Sequence, residues 1–206
     1  MNEIYLSRFL FEKTPEGMRA LTDRYYLHAL ARGMGREGRY LFRLETAGGA
    51  PALLLQTASH PDLTALPEGV LRLVGVKRLP KEALRPGLYR FFLQANLTWT
   101  DPEGKRRPLP LEEARARLER ELSGARTAFA EVRRKPPLWV SPPGRPAFPL
   151  DVVEARGVLE VTDPEALFEV VAKGVGRGKA YGLGLLSLAP ARAERRWAGG
   201  AALLAR

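Results

Sequence analysis

The chain of 206 residues predicts an α+β protein made of two similar units in tandem. Three observations carry that expectation. Apolar and aromatic runs of strand type recur in both halves, each half holds a helix that opens on a capping residue followed by proline, and a proline-rich basic stretch separates them.

The first run, from Ile4 to Phe11, is rich in aromatic and apolar residues and stops at Thr14-Pro15, as a strand does. Thr14 is placed to cap a helix with Pro15 at its first position, and Met18, Leu21 and Tyr25, followed by His28 or Ala29, recur at helical spacing up to Gly33. Tyr40–Leu44 and Ala52–Gln56 flank Gly48-Gly49 and read as a hairpin. A weaker run, Leu71–Val76, is an uncertain short element, and Leu88–Leu93 reads as the closing strand. The order is close to the βαββαβ ferredoxin-like unit. Residues 98–110 hold several prolines and a basic triplet, Lys105-Arg106-Arg107, and read as a linker.

Leu111, Leu118 and Leu122 then form one stripe of a charged helix. Ala128–Arg134 reads as a strand, Pro136–Pro149 as a proline-broken excursion, and Val152–Val161 as a second strand. Asp163 caps a helix that starts at Pro164, and Tyr181–Leu188 closes the unit. Two tandem ferredoxin-like (βαββαβ, RRM-like) domains are the economical architecture: residues 1–97, a linker at 98–110, residues 111–190, and a tail at 191–206.

Composition narrows the chemistry. No cysteine is present, which excludes disulfides, thiolate nucleophiles and cysteine-held metals, and His28 and His60 are the two imidazoles. No cofactor or metal site is expected, although a carboxylate-only magnesium site stays open. No apolar stretch is long enough to cross a membrane and the amino terminus lacks a signal-peptide layout, so the expected location is cytoplasmic. The 33 Lys+Arg against 23 Asp+Glu give a net charge of +10, of which +6 falls in residues 104–145. A nucleic acid is the natural partner of such a segment, with a merely solvated basic face as the alternative.

Two places stand out for chemistry. Between Lys173 and Gly184, the glycines Gly174, Gly176, Gly178, Gly182 and Gly184 are interleaved with Arg177 and Lys179. A helix precedes these glycines and a strand follows, the reverse of a dinucleotide-binding fingerprint, and Ala180 after Lys179 breaks a P-loop. A basic loop that lets a phosphate backbone approach closely remains, against the plainer reading of a tight helix-to-strand turn. The run Lys179–Gly184 also resembles an RNA-stacking strand, but leucines stand where further aromatics belong. Second, Tyr25 and His28 share one helix face, where a phenol and an imidazole suit acid–base chemistry; a half-buried packing histidine is the alternative. His60 precedes Pro61 in a turn and reads as loop decoration.

Taken together, these motifs resemble the CasE family of CRISPR-associated endoribonucleases of type I-E systems. Gly174–Pro190 is similar to the family's glycine-rich carboxy-terminal signature, and Tyr25-Tyr26-Leu27-His28 resembles its Tyr-x-x-His element. Leu54–Thr57, Phe92–Asn96 and Glu131–Lys135 add matches in the same order. The resemblance spans residues 1–190. It implies cleavage of the CRISPR repeat RNA hairpin at its base, retention of the mature crRNA, and assembly with the other Cascade subunits; a noncatalytic hairpin-binding subunit is the alternative.

The resemblance also implies His28 as general base or acid with Tyr25 as its partner. Lys173, Gly174, Gly176, Arg177, Gly178 and Lys179 would hold RNA backbone, and Arg133, Arg134 and Lys135 a basic hairpin that grips the stem. RNA cleavage through the internal 2′-OH leaves DNA uncut and requires no metal. Gly33 stands where some relatives offer a lysine, which leaves Arg32 as the substitute cation or the position without one.

Overall fold

A computed structural model of the chain describes residues 1–36 and 38–191. It contains two four-stranded antiparallel sheets with helices, as two ferredoxin-like units require. The first comprises β1 (Glu3–Phe11), α1 (Pro15–Thr22), α2 (Arg24–Met34), β2 (Tyr40–Ala47), β3 (Ala50–Thr57), a 3-10 turn at Leu63–Ala65, and β4 (Leu71–Pro80), in the sheet order β2-β3-β1-β4. The second comprises β5 (Gly87–Ala95), a small ribbon of β6 (Thr98–Thr100) and β7 (Arg106–Pro108), α3 (Leu111–Glu121), β8 (Ala125–Val140), β9 (Phe148–Val161), α4 (Pro164–Lys173) and β10 (Ser187–Pro190), in the order β10-β5-β9-β8. In each sheet the strand that enters first lies in the interior, flanked on both sides.

Thr14 caps as expected, its Oγ1 accepting from the Gly17 amide at 2.9 Å. The single helix expected from there to Gly33 is two helices, because Asp23 interrupts it. The Asp23 carboxylate accepts from the Tyr26 amide at 2.9 Å and starts α2 afresh. That restart sets the direction in which Tyr25 and His28 project.

The strand expected to close the first unit, Leu88–Leu93, belongs instead to the second sheet. As β5 it pairs with β9 (Phe91↔Gly157) and with β10 (Phe91↔Leu188). The first sheet is closed by β4, paired along β1 from Glu3↔Pro80 to Phe11↔Leu71. The chain thus passes from one sheet to the other between Pro80 and Gly87. An edge strand that buries little, as β4 does, shows weak hydrophobic patterning, whereas β5 is central and rich in aromatics.

The stretch expected as a linker at 98–110 contains the β6–β7 ribbon, whose turn is clamped by buried Asp101. Its carboxylate accepts from the Lys105 amide at 2.6 Å and from Arg107 Nε at 2.8 Å. The proline-broken excursion at Pro136–Pro149 is in part regular: β8 runs on through Pro136-Pro137, with a register shift before Leu138↔Leu150. Proline is tolerated there because β8 is an edge strand. The tail at 191–206 lies outside the described residues beyond Ala191.

Each sheet packs its helices on one face. Phe9, Leu27, Met34, Phe42, Leu53 and Leu55 fill the first core, and Phe91, Leu93, Leu118, Leu159, Leu167 and Phe168 belong to the second. Leu41 and Leu54 meet Leu185 in a third apolar cluster that joins the units. Beside it, Gln56 Nε2 donates to the Val171 carbonyl at 2.9 Å, and buried Arg43 donates to the Leu185 carbonyl (3.2 Å) and Ser187 Oγ (2.9 Å). No described helix is long and apolar enough to cross a membrane.

Candidate active site at the joint of the two units

The segment after α4 folds back across the joint. Gly174 ends the helix, the Val175 amide donates to the Gly184 carbonyl at 2.9 Å, and the Gly184 amide donates to the Gln94 carbonyl at 2.6 Å. The Arg177 amide donates to the Asn96 carbonyl at 2.9 Å, which fastens the loop to the end of β5. Where the sequence predicts a strand starting at Tyr181, a 3-10 turn spans Lys179–Tyr181 between Gly178 and Gly182, and β10 begins only at Ser187.

The glycines serve the protein's own packing. At Gly182 φ is +90°, and a Cβ would stand 2.9 Å from Phe42 Cε2 and 3.0 Å from Arg24 Nη1. At Gly176 a Cβ would stand 2.8 Å from the Asn96 carbonyl oxygen. The close approach attributed in the sequence to a phosphate backbone is made, at these positions, by the fold itself. Backbone hydrogen bonding, with glycine at left-handed positions, places the turn against α2 and β2.

That placement brings the two candidate regions together. The His28 ring centroid lies 5.7 Å from that of Tyr181 in the turn. Tyr25 sits edge-on to His28 at 6.1 Å, and the phenol bonded to the imidazole is a different one: Tyr40 Oη lies 2.7 Å from His28 Nδ1. Sequence reasoning singles out neither Tyr40 nor Tyr181. Tyr181 lies within the glycine motif, but Tyr40 is visible only as the first residue of a strand.

The imidazole borders an open cleft of about 400 Å³ lined by Tyr25, His28, Ala29, Arg32, Gly33 and Arg36. Burial pushes the His28 pKa below its ordinary value and the Arg32 guanidinium pushes it further down, while the Ala180 carbonyl acts the other way. The neutral imidazole, able to accept a proton, is thereby favoured. Arg24, one turn before His28, is largely buried, and loss of hydration brings its pKa down to about 10. It makes no ion pair among the described residues.

The cations selected from the sequence divide by their surroundings. Arg177 is exposed and in no ion pair among the described residues. Lys179 Nζ donates to the Gly176 carbonyl at 2.6 Å, and burial lowers its pKa. Lys173 pairs with Glu169 one turn earlier, at 3.3 Å. Arg133 and Arg134 are not free charges: Arg133 Nε donates to buried Glu154 at 2.7 Å, and Arg134 pairs with Asp151 and donates to the Leu109 carbonyl. Lys135 follows on the same strand, opposite Val152.

Comparison with known proteins shows the family and the fold. Residues 4–190 match the model of a family described as CRISPR associated protein. The CRISPR-associated endoribonuclease Cse3 of Thermus thermophilus is 39% identical over 203 residues, covering 84% of this chain and 92% of the relative. The structure of Thermus thermophilus Cse3 bound to an RNA representing a pre-cleavage complex superposes with a TM-score of 0.79 at 34% identity, covering 91% of this chain and 100% of that one. The CRISPR-associated protein Cas6e of Escherichia coli K-12 superposes with a TM-score of 0.71 at 28% identity, covering 91% and 100%.

Proposed function

Because the chain belongs to the type I-E CasE family of CRISPR-associated proteins, we propose that it is an endoribonuclease that binds the stem-loop of CRISPR repeat RNA and cleaves at the base of the hairpin. The observation that carries this reading is the meeting of His28 with the Lys179–Tyr181 turn beside an open cleft that also presents Arg32 and Arg36.

The chemistry follows from what RNA already supplies. The ribose 2′-OH is tethered next to its own phosphorus, so alignment, proton transfer and charge stabilisation suffice. His28, whose neutral form burial favours, accepts the 2′-OH proton while the 2′ oxygen bonds to phosphorus. The bond from phosphorus to the 5′ oxygen breaks, and the leaving oxygen takes up a proton. Tyr25, which lines the same cleft, is the partner group at that step. The products are a 2′,3′-cyclic phosphate and a 5′-OH, with no metal required. DNA, lacking the nucleophile, is bound at most.

Arg177 and Lys179, on the glycine-rich loop, and Lys173 before it hold the RNA backbone near the scissile phosphate. Arg133, Arg134 and Lys135 on β8 approach the stem. The mature crRNA stays bound and carries the protein into Cascade in the cytoplasm.

Repeat RNA with a single 2′-deoxy substitution at the cut site tests the reaction. It should bind like the all-ribose hairpin and stay intact, while the control yields a cyclic phosphate end. Cleavage of the deoxy substrate would rule the mechanism out.

A further inference from the structure

The hydrogen bond to His28 comes from a residue that does not line the cleft. Tyr40 opens β2, where its backbone is paired with Thr57, and a Cβ added at Gly35 would stand 3.1 Å from the Tyr40 Cβ. Thr57 lies on β3 and Gly35 caps α2, so the phenol is held from the sheet side while α2 supplies the imidazole. We propose that Tyr40 is a positioning residue for RNA cleavage: its hydroxyl holds His28 Nδ1, so that Nε2 is the nitrogen that exchanges a proton with the RNA. This inference rests on the reading of His28 as the proton-transfer group.

The chemistry of a phenol suits the task. A hydroxyl both donates and accepts, so it stays bonded to Nδ1 whether the ring is imidazole or imidazolium, by turning its own hydrogen. Burial raises the Tyr40 pKa, which keeps the group uncharged. An uncharged partner orients the ring without the strong pull toward imidazolium that a carboxylate would exert.

Of the other groups around the ring, the Ala180 carbonyl also hydrogen-bonds it and draws its pKa up, but a carbonyl only accepts and so cannot stay bonded to a ring nitrogen that has lost its proton. Tyr25 and Tyr181 face it at 6.1 and 5.7 Å between centroids, and no hydrogen bond joins either of them to it. Arg32, the nearby cation on α2, acts on the ring only through its charge.

The test is Tyr40→Phe, which keeps the ring and removes the hydroxyl. Single-turnover cleavage of repeat RNA should fall roughly ten- to a hundredfold, by analogy with loss of the outer hydrogen bond that orients a metal-ligating imidazole, with the RNA dissociation constant unchanged. Nitrogen NMR supplies a readout that a merely structural role would not move. The wild-type His28 Nδ1 resonance should carry the shift of a hydrogen-bonded nitrogen, and Tyr40→Phe should redistribute the two tautomers. Wild-type cleavage by Tyr40→Phe, or His28 nitrogen resonances that do not respond, would overturn the proposal. Failure of the underlying reading looks different: His28→Ala would still cut RNA while the resonances of the wild-type protein kept their hydrogen-bonded pattern.

Discussion

Replacing Gly182 by alanine should cost the protein both stability and activity, by an amount that follows from its surroundings. The residue has φ +90°, where a non-glycine residue costs about 1–2 kcal/mol. The new methyl would lie 2.9 Å from Phe42 Cε2 and 3.0 Å from Arg24 Nη1. The arginine end can swing aside, but the Phe42 ring is fully buried, and overpacking of that kind adds about 1–3 kcal/mol. The sum is about 2–5 kcal/mol, or roughly 4–20 °C in Tm for a chain of this size. Gly48→Ala is the control: φ is +57° with no atom within 4 Å, so only the backbone part applies. Thermal denaturation of both variants measures the difference, and single-turnover cleavage should show the Gly182 variant impaired even where it is folded, because Tyr181 shifts away from His28. If Gly182→Ala melts no lower than Gly48→Ala, the glycines are not there for packing, and close approach of a ligand returns as their explanation.

Arg32→Ala removes one of the two causes that depress the His28 pKa, so an NMR titration of the free protein should show that pKa move up toward its ordinary value. The neutral base is then less populated at a given acidic pH, and the rising limb of the cleavage rate shifts to higher pH; a pKa that stays put or falls would refute the electrostatic assignment. Arg177→Ala should flatten the dependence of log K on log salt by roughly 0.7–0.9, the value for one lost phosphate contact. Arg133→Ala should flatten it less, since Glu154 already neutralises that guanidinium; equal slopes for the two variants would show that the ion pair opens when RNA binds.

Much of the architecture is legible in the sequence because local chemistry and tertiary context agree. Thr14-Pro15 and Asp163-Pro164 start helices where capping rules place them, and α3 forms where the leucine stripe predicts it, burying Leu118 and Leu122 but leaving Leu111 exposed. The misassigned strand shows where such agreement fails. β4 lies at an edge with much of its length exposed, so its pattern is faint, and membership of a sheet is decided by pairing partners far away in sequence. The same reason hides Tyr40. Its role depends on β2 lying beside α2, a relation between elements that no spacing within one segment expresses.

The basic run on β8 is legible as charge but not as ion pairs. Arg133 and Arg134 look like free charge until the register with β9 sets Glu154 opposite Arg133, with Asp151 close to Arg134. By contrast, His28 and the glycine turn carry enough local signal to be chosen separately, though their proximity is a property of the joint between the units.

That joint is tested most directly by His28→Ala, assayed for hairpin affinity and single-turnover cleavage on the same RNA. Cutting should fall by orders of magnitude while the dissociation constant barely changes. Undiminished cutting by this variant would contradict the assignment of His28 as the proton-transfer group.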